Sequence, residues 1–176
     1  MLLILAQVIG FLAVGLYLLS YQLKKRTHIV WVTFVSNVFY VLQYFLLGAF
    51  SGAAMDILST VASFFAGRKN APSMKKYANL LSVLTTLSIA VIGLCLAWIQ
   101  RDWFELLPVA GAVFSTVGLW CDDEQKLRKF GLCSAPFWLV YNFASQAYGA
   151  SLGSLFAIIS IVVSLIRYRK NKNAIS

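Results

Sequence analysis

Apolar residues run in long unbroken stretches along this chain, and polar residues gather in the short gaps between them. Stretches of this length, with no alternation of apolar and polar positions, predict membrane-spanning helices rather than strands. The pattern places spans over 2–20, 29–48, 52–67, 77–99, 103–120, 130–147 and 150–167. Two of them, the third and the seventh, are short. A sixteen-residue helix reaches about 24 Å, against a hydrocarbon core of about 30 Å.

The two short spans also read alike. GAAMDILSTVASFFAG, from Gly52 to Gly67, and GASLGSLFAIISIVVS, from Gly149 to Ser164, both open on Gly-Ala and both run into a basic cluster. Asp56, Thr60, Ser63 and Gly67 share one helical face, and Gly153, Ala157, Ser160 and Ser164 repeat that spacing. Spans one to three and five to seven each run long helix, basic loop, long helix, tight small-residue turn, short helix, basic cluster. Because three helices is an odd number, two such units lie parallel only with an inverting helix between them. Span four, Tyr77 to Ile99, has no counterpart and fits that role. The pattern therefore predicts an all-α integral membrane fold of seven transmembrane helices. A triple-helix bundle over 1–70 is joined by a linker helix within 71–102 to a parallel bundle over 103–170, with a tail at 171–176. Paired short segments in corresponding positions point to a transporter's central site.

Charge gives this array a direction. Of the 15 lysines and arginines, all but Arg101 fall between spans one and two, three and four, five and six, or after seven. The positive-inside rule then puts the N-terminus outside and the C-terminus in the cytoplasm. The N-terminal stretch is apolar first and basic only at Lys24, Lys25 and Arg26, the reverse of a cleaved signal peptide, so it is read as a span. Trp31 and Trp120 are expected in a cytoplasmic aromatic belt, and Trp98 and Trp103 in an outer one. With 60% apolar and 12% charged residues the chain does not fit a soluble domain, and its net charge of +9 sits in loops rather than in a nucleic-acid-binding stripe. Cys95, Cys121 and Cys133 form neither a disulfide framework nor a zinc motif. No nucleophile and base set or phosphate loop appears, so neither an enzyme nor a cofactor is expected.

Candidate chemistry lies inside the spans. Asp56, Thr60, Ser63 and Ser160 could line a solute path, with close helix packing through small and hydroxyl residues as the plainer alternative. Trp138 and Asn142, one turn apart, would set a stacking plane beside an amide, a pairing suited to a flat neutral solute. On span two Asn37, Tyr40 and Gln43 or Tyr44 offer a matching face. Asp122, Asp123 and Glu124 read as a solvated loop balanced by Lys126, Arg128 and Lys129, and His28 as an interfacial residue. Pro108 starts span five after Glu105. Gly48, Gly52 and Gly149 are candidate hinges.

Leu19-Ser20-Tyr21-Gln22, followed by Lys24-Lys25, resembles the end of a PQ-loop first helix, with Tyr21 where that group has proline. The three-plus-one-plus-three array resembles the SWEET sugar facilitators, the wider PQ-loop group and the Pnu vitamin carriers. Glu105-Leu106-Leu107-Pro108-Val109, Gly111, Ser115-Thr116, Leu46-Leu47-Gly48 and Asn142-Phe143 resemble the bacterial inner-membrane family called YgjV over essentially the whole chain. That resemblance implies a fold and a bacterial inner-membrane location, and no substrate. The sugar-contacting asparagine of SWEET third and seventh helices is absent, with Ser63 and Ser160 in the corresponding stripe. The resulting expectation is a facilitator of a small neutral solute (a sugar, nucleoside or vitamin-like molecule) working by alternating access from one central site. The alternative is a non-transporting scaffold or sensor subunit with packed polar interfaces. Its partners would be the lipid bilayer and a solute, not nucleic acid, with a homo-oligomer left open.

Overall fold

The computed structural model describes the backbone of residues 2–173 and the side chains of residues 2–167. The tail expected at 171–176 therefore lies partly outside the described residues, as do the side chains of Arg169, Lys170 and Lys172. The described residues form helices and turns and contain no strand. The elements are α1 (Leu2–Gln22), α2 (Arg26–Leu47), α3 (Phe50–Arg68), the single turn α4 (Pro72–Lys75), α5 (Ala78–Gln100), a 3-10 turn (Trp103–Glu105), α6 (Leu106–Trp120), α7 (Glu124–Ala144) and α8 (Tyr148–Asn173). Six of these segments are long and apolar enough to cross a membrane: α1, α2, α3, α5, α6 counted from Trp103, and α8. Helix α7 has the length, but Glu124, Lys126, Arg128 and Lys129 fill its first two turns. Pro108 falls inside α6, one turn after the 3-10 turn that begins the segment.

Six of the long helices close into a ring in the order α1, α2, α3, α6, α7, α8, and back to α1. Within each triplet the short connections make consecutive helices antiparallel neighbours. At the two junctions between triplets the helices run parallel. Gln7 of α1 meets Gly149 of α8, and Gln22 meets Ser160 further along. Likewise Met55 of α3 packs with Val109 of α6, while Ala66 and Leu119, near their ends, share one cationic partner. Helix α5 lies outside the ring, seated where α3 and α6 meet, with its Ile89 against Met55, Val109 and Ala112. This corrects the expected pair of triple-helix bundles in one respect. Helices α1 and α3 do not pack along each other, nor do α6 and α8, so each triplet is an arc rather than a bundle with its own core. The interior that would hold such a core is shared between the arcs.

The turns inside the arcs match one another. Gly48 and Gln146, ninety-eight positions apart, end α2 and α7 in the left-handed region, at φ 72° and 58°. After them the Ala49 amide donates to the Tyr44 carbonyl at 3.0 Å, and the Ala147 amide to the Asn142 carbonyl at 2.9 Å. These bonds satisfy carbonyls that a helix end leaves open. Buried hydroxyls repeat the correspondence. Ser36 Oγ donates to the Ala13 carbonyl at 2.8 Å, and Ser134 Oγ to the Gly111 carbonyl at 2.7 Å. Two of the expected hinge glycines are pinned instead of free, because the Gly52 amide donates to Tyr141 Oη and the Gly149 amide to Gln7 Oε1.

All the described lysines and arginines except Arg101 lie at one end of the ring, called here the basic end, and three of them are buried. Arg26 donates to the carbonyls of Cys121 at 2.7 Å, Leu119 at 2.5 Å and Ala66 at 3.1 Å. Arg128 donates to the Leu23 carbonyl at 2.9 Å, and Lys69 to that of Trp120 at 2.6 Å. Each cation therefore sits on the negative end of a helix from the other arc. That role goes beyond the topology signal expected of these residues, and it corrects the acidic loop as well. Asp122 pairs with Lys69 at 2.6 Å rather than with its sequence neighbours, and Asp123 caps α7 by accepting from the Gln125 amide. Lys69 beside it holds the Asp122 carboxyl below its usual range, so the pairing persists at neutral pH and is lost only as acid protonates the group.

The aromatic belt is also only partly as expected. Trp98 and Trp103 are 79% and 78% exposed at the opposite end. Trp120 is buried, donating to Thr85 Oγ1 at 3.1 Å, and Trp31 packs on the bare face of Gly67. Both indoles are drawn into helix contacts, because a hydroxyl and a missing Cβ lie within their reach.

Arg26→Met should lower stability by about 2–3 kcal/mol, since it strips charge-assisted bonds from three carbonyls. Lys25→Met, at an exposed neighbouring position, should stay within about 0.5 kcal/mol. Denaturant unfolding in micelles measures both, and equal effects would contradict the capping role.

Candidate functional site

A cavity runs along the centre of the ring between the two ends, with about 60 Å³ open to the centre of a water molecule. That is room for about five waters. Its walls come from corresponding positions in the two arcs. Tyr44 and Asn142, Tyr40 and Trp138, Asn37 and Ala135, and Thr33 and Gly131 are pairs ninety-eight residues apart on α2 and α7. Tyr17 and Ser115, and Tyr21 and Leu119, stand in the same relation on α1 and α6. Helices α3 and α8 contribute Asp56, Ser59 and Ser154. The first arc supplies the larger polar member of most pairs, and the second a small or apolar one. The Tyr21 side chain occupies the space that a Cβ on Gly131 would fill, so the glycine admits it.

Packing narrows the cavity at both ends. Toward the opposite end the Tyr44 hydroxyl donates to Asn142 Oδ1, and Asn142 Nδ2 donates to Ser154 Oγ at 3.2 Å. Tyr44, Tyr141, Ala53, Ala147 and Ala150 pack around that contact. Toward the basic end Tyr21, Ile29, Val30, Leu119, Trp120 and Leu127 fill the section. Between the plugs a ladder of rings crosses from α1 and α2 to α7. Tyr17 and Tyr40 centroids are 6.3 Å apart, Tyr40 and Tyr44 6.3 Å, and Tyr44 and Trp138 6.1 Å.

Four of the seven residues expected at the site reach the cavity: Asn37, Asp56, Trp138 and Asn142. Asn142 does not offer a free amide, because both of its polar atoms are engaged. Trp138 instead leaves its indole N–H without an acceptor among the described residues, over the bare face of Gly111. Thr60, Ser63 and Ser160 do not line the cavity. Thr60 Oγ1 donates to the Asp56 carbonyl at 2.7 Å and Ser63 Oγ to the Thr60 carbonyl at 2.8 Å, so both hydroxyls are turned back onto their own helix. Ser160 accepts from Gln22 Nε2 at 2.6 Å, in the contact between α8 and α1. The hydroxyl stripe is thus packing material over most of its length, and only its Asp56 end is open to the centre.

Sequence reasoning missed Tyr17, Tyr21, Ser59, Ser115 and Ser154. Tyr17 and Tyr21 are one turn apart and hydrogen-bonded to each other at 2.8 Å, so the spacing was the available signal. Gln43, a rival of Tyr44 in the sequence, points away from the cavity into the bare face of Gly10, its amide atoms unpartnered among the described residues. His28 is exposed at the basic end, as expected of an interfacial residue. No group of three or more metal-ligating side chains occurs among the described residues.

The sequence model of the Imp-YgjV family, described as bacterial inner membrane protein, matches residues 4–172. No curated protein and no solved structure matches the chain.

Tyr44→Phe should cost about 1 kcal/mol of stability. Combined with Asn142→Ala it should show a coupling of at least about 0.5 kcal/mol in a double-mutant cycle. Additive effects would mean that the two side chains do not meet across the centre.

Proposed function

The chain belongs to the Imp-YgjV family of bacterial inner membrane proteins, and from there we propose that it is a small-solute carrier of that membrane with one central site. The observation that carries this reading is the central cavity, lined by polar and aromatic groups in a protein whose outer surface is apolar. Polar groups inside a bilayer are costly, and they collect where a solute or its path needs them.

Duplication explains the paired walls. The matched turns, the matched serine bonds and the parallel junctions are what two copies of a three-helix unit would give when related by an axis along the membrane normal. With α5 as the inverting helix and α7 counted as a span beyond its basic first turns, the array is SWEET-like, with arcs in place of bundles. The basic end then faces the cytoplasm, and α1 starts outside. Rocking one arc against the other would part Tyr44 from Asn142 on the outer side, or draw Arg26, Lys69 and Arg128 off their carbonyls on the inner side. A sugar, nucleoside or vitamin-like solute would need the cavity to widen as the arcs move.

The scaffold reading draws its support from Thr60, Ser63 and Ser160, whose hydroxyls are spent on helix contacts. Solvent separates the two. With Cys95, Cys121 and Cys133 replaced by serine, Ser59→Cys and Ser115→Cys should react with a membrane-impermeant maleimide in native membranes. A Val91→Cys control, on the lipid-facing side of α5, should not. Two inert cavity cysteines in a folded protein would favour the scaffold.

A further inference from the structure

Building on the reading of the cavity as a solute site, we propose that the site selects a small organic ammonium ion. Asp56 is 6% exposed and lines the cavity, and its carboxylate makes neither a hydrogen bond nor an ion pair with any described residue. It is the one acidic or basic side chain among the lining residues. The three buried cations are held at the basic end by helix carbonyls, as described above. The position ninety-eight residues on is Ser154, also in the cavity wall, so the centre of the ring carries a single carboxylate and no answering charge.

A carboxylate held away from water must take up a proton or find a cation. The rest of the wall specifies which cation fits. The rings of Tyr17, Tyr40, Tyr44 and Trp138 present apolar, electron-rich surface, which attracts an ammonium head bearing alkyl groups. A hard metal ion would ask for six or more oxygen ligands. Beyond Asp56 the oxygens of the cavity wall, on Thr33, Asn37, Tyr40 and Ser59 among others, are neutral hydroxyls and amides, so a hard ion would meet a single charged ligand. The volume limits the ligand in this closed form to a handful of heavy atoms. A carboxylate and a ladder of rings in one cavity wall thus amount to an acidic aromatic cage. Its solute carries the charge that the sequence reading had left off.

Tetramethylammonium and tert-butanol, equal in heavy-atom count and similar in shape, isolate that charge. Isothermal titration of the purified full-length protein should detect the cation and give at least about tenfold weaker binding for the alcohol. Asp56→Asn, which keeps the side-chain shape, should weaken tetramethylammonium by about tenfold or more. Tyr40→Leu keeps the carboxylate and should weaken it by about 3- to 30-fold. Equal binding of cation and alcohol, full binding by Asp56→Asn, or no binding of the cation at all would overturn the proposal. Labelling of the Ser59→Cys and Ser115→Cys variants keeps its failure distinct from that of the carrier reading. Reactive cavity cysteines without cation binding would leave the carrier standing and remove only the ammonium selectivity.

Discussion

A hydrogen bond between Tyr44 and Asn142 joins two helices that are not neighbours in the ring. Helices α2 and α7 meet only across the centre, and everything else about the interior follows from that meeting. Because the two residues hold corresponding places in their arcs, the contact lies where the arcs face one another. The walls on either side of it are then filled by further corresponding pairs. Hydrocarbon supplies no hydrogen bonds, so each polar group that faces this centre must be answered by protein, by trapped water or by a ligand. Tyr44, Asn142 and Ser154 answer one another. Asp56 and Ser59 do not find such partners among the described residues.

The two ends of the ring are closed by different physics. At the opposite end the bonds between the arcs are neutral ones, Tyr44 to Asn142, the Gly52 amide to Tyr141 and the Gly149 amide to Gln7, amid aromatic and alanine packing. At the basic end Arg26, Arg128 and Lys69 tie helix ends of one arc to helices of the other through charge-assisted bonds, each worth more than a neutral one. Parting the arcs at the opposite end therefore breaks neutral bonds, and parting them at the basic end breaks charge-assisted ones. An imbalance of this kind sets which side of a rocking carrier opens more readily.

Hydropathy and charge clustering made the order of the helices legible, because lipid leaves a spanning segment few alternatives. Not all their ends were legible: α7 begins at Glu124, six residues before the expected span, and α8, expected short, runs from Tyr148 to Asn173 and is the longest of the described helices. Gly48 was legible as a turn for the same local reason, whereas Gln146, which adopts the same left-handed backbone, carries no such signal. Long-range packing was not legible. Arg26, Lys69 and Arg128 look like loop cations in sequence, and only the fold brings helix carbonyls within their reach. The hydroxyl stripe misled for a related reason. Serine and threonine on a helix can bond their own backbone as well as a solute, and spacing does not distinguish the two uses. Trp138 and Asn142 were found because an indole and an amide stand out in an apolar helix. Tyr17 and Tyr21 were missed because tyrosine near a helix end reads as an interfacial anchor.

The account stands on the arcs facing each other through α2 and α7. Cross-linking in native membranes tests this directly, using a short bifunctional thiol reagent on Tyr44→Cys with Asn142→Cys in a background freed of Cys95, Cys121 and Cys133. An intramolecular link should form between them. The adjacent pair Phe45→Cys with Phe143→Cys, exposed on the outside of the ring, should give none. A link in the outer pair and none in the inner one would contradict the arrangement.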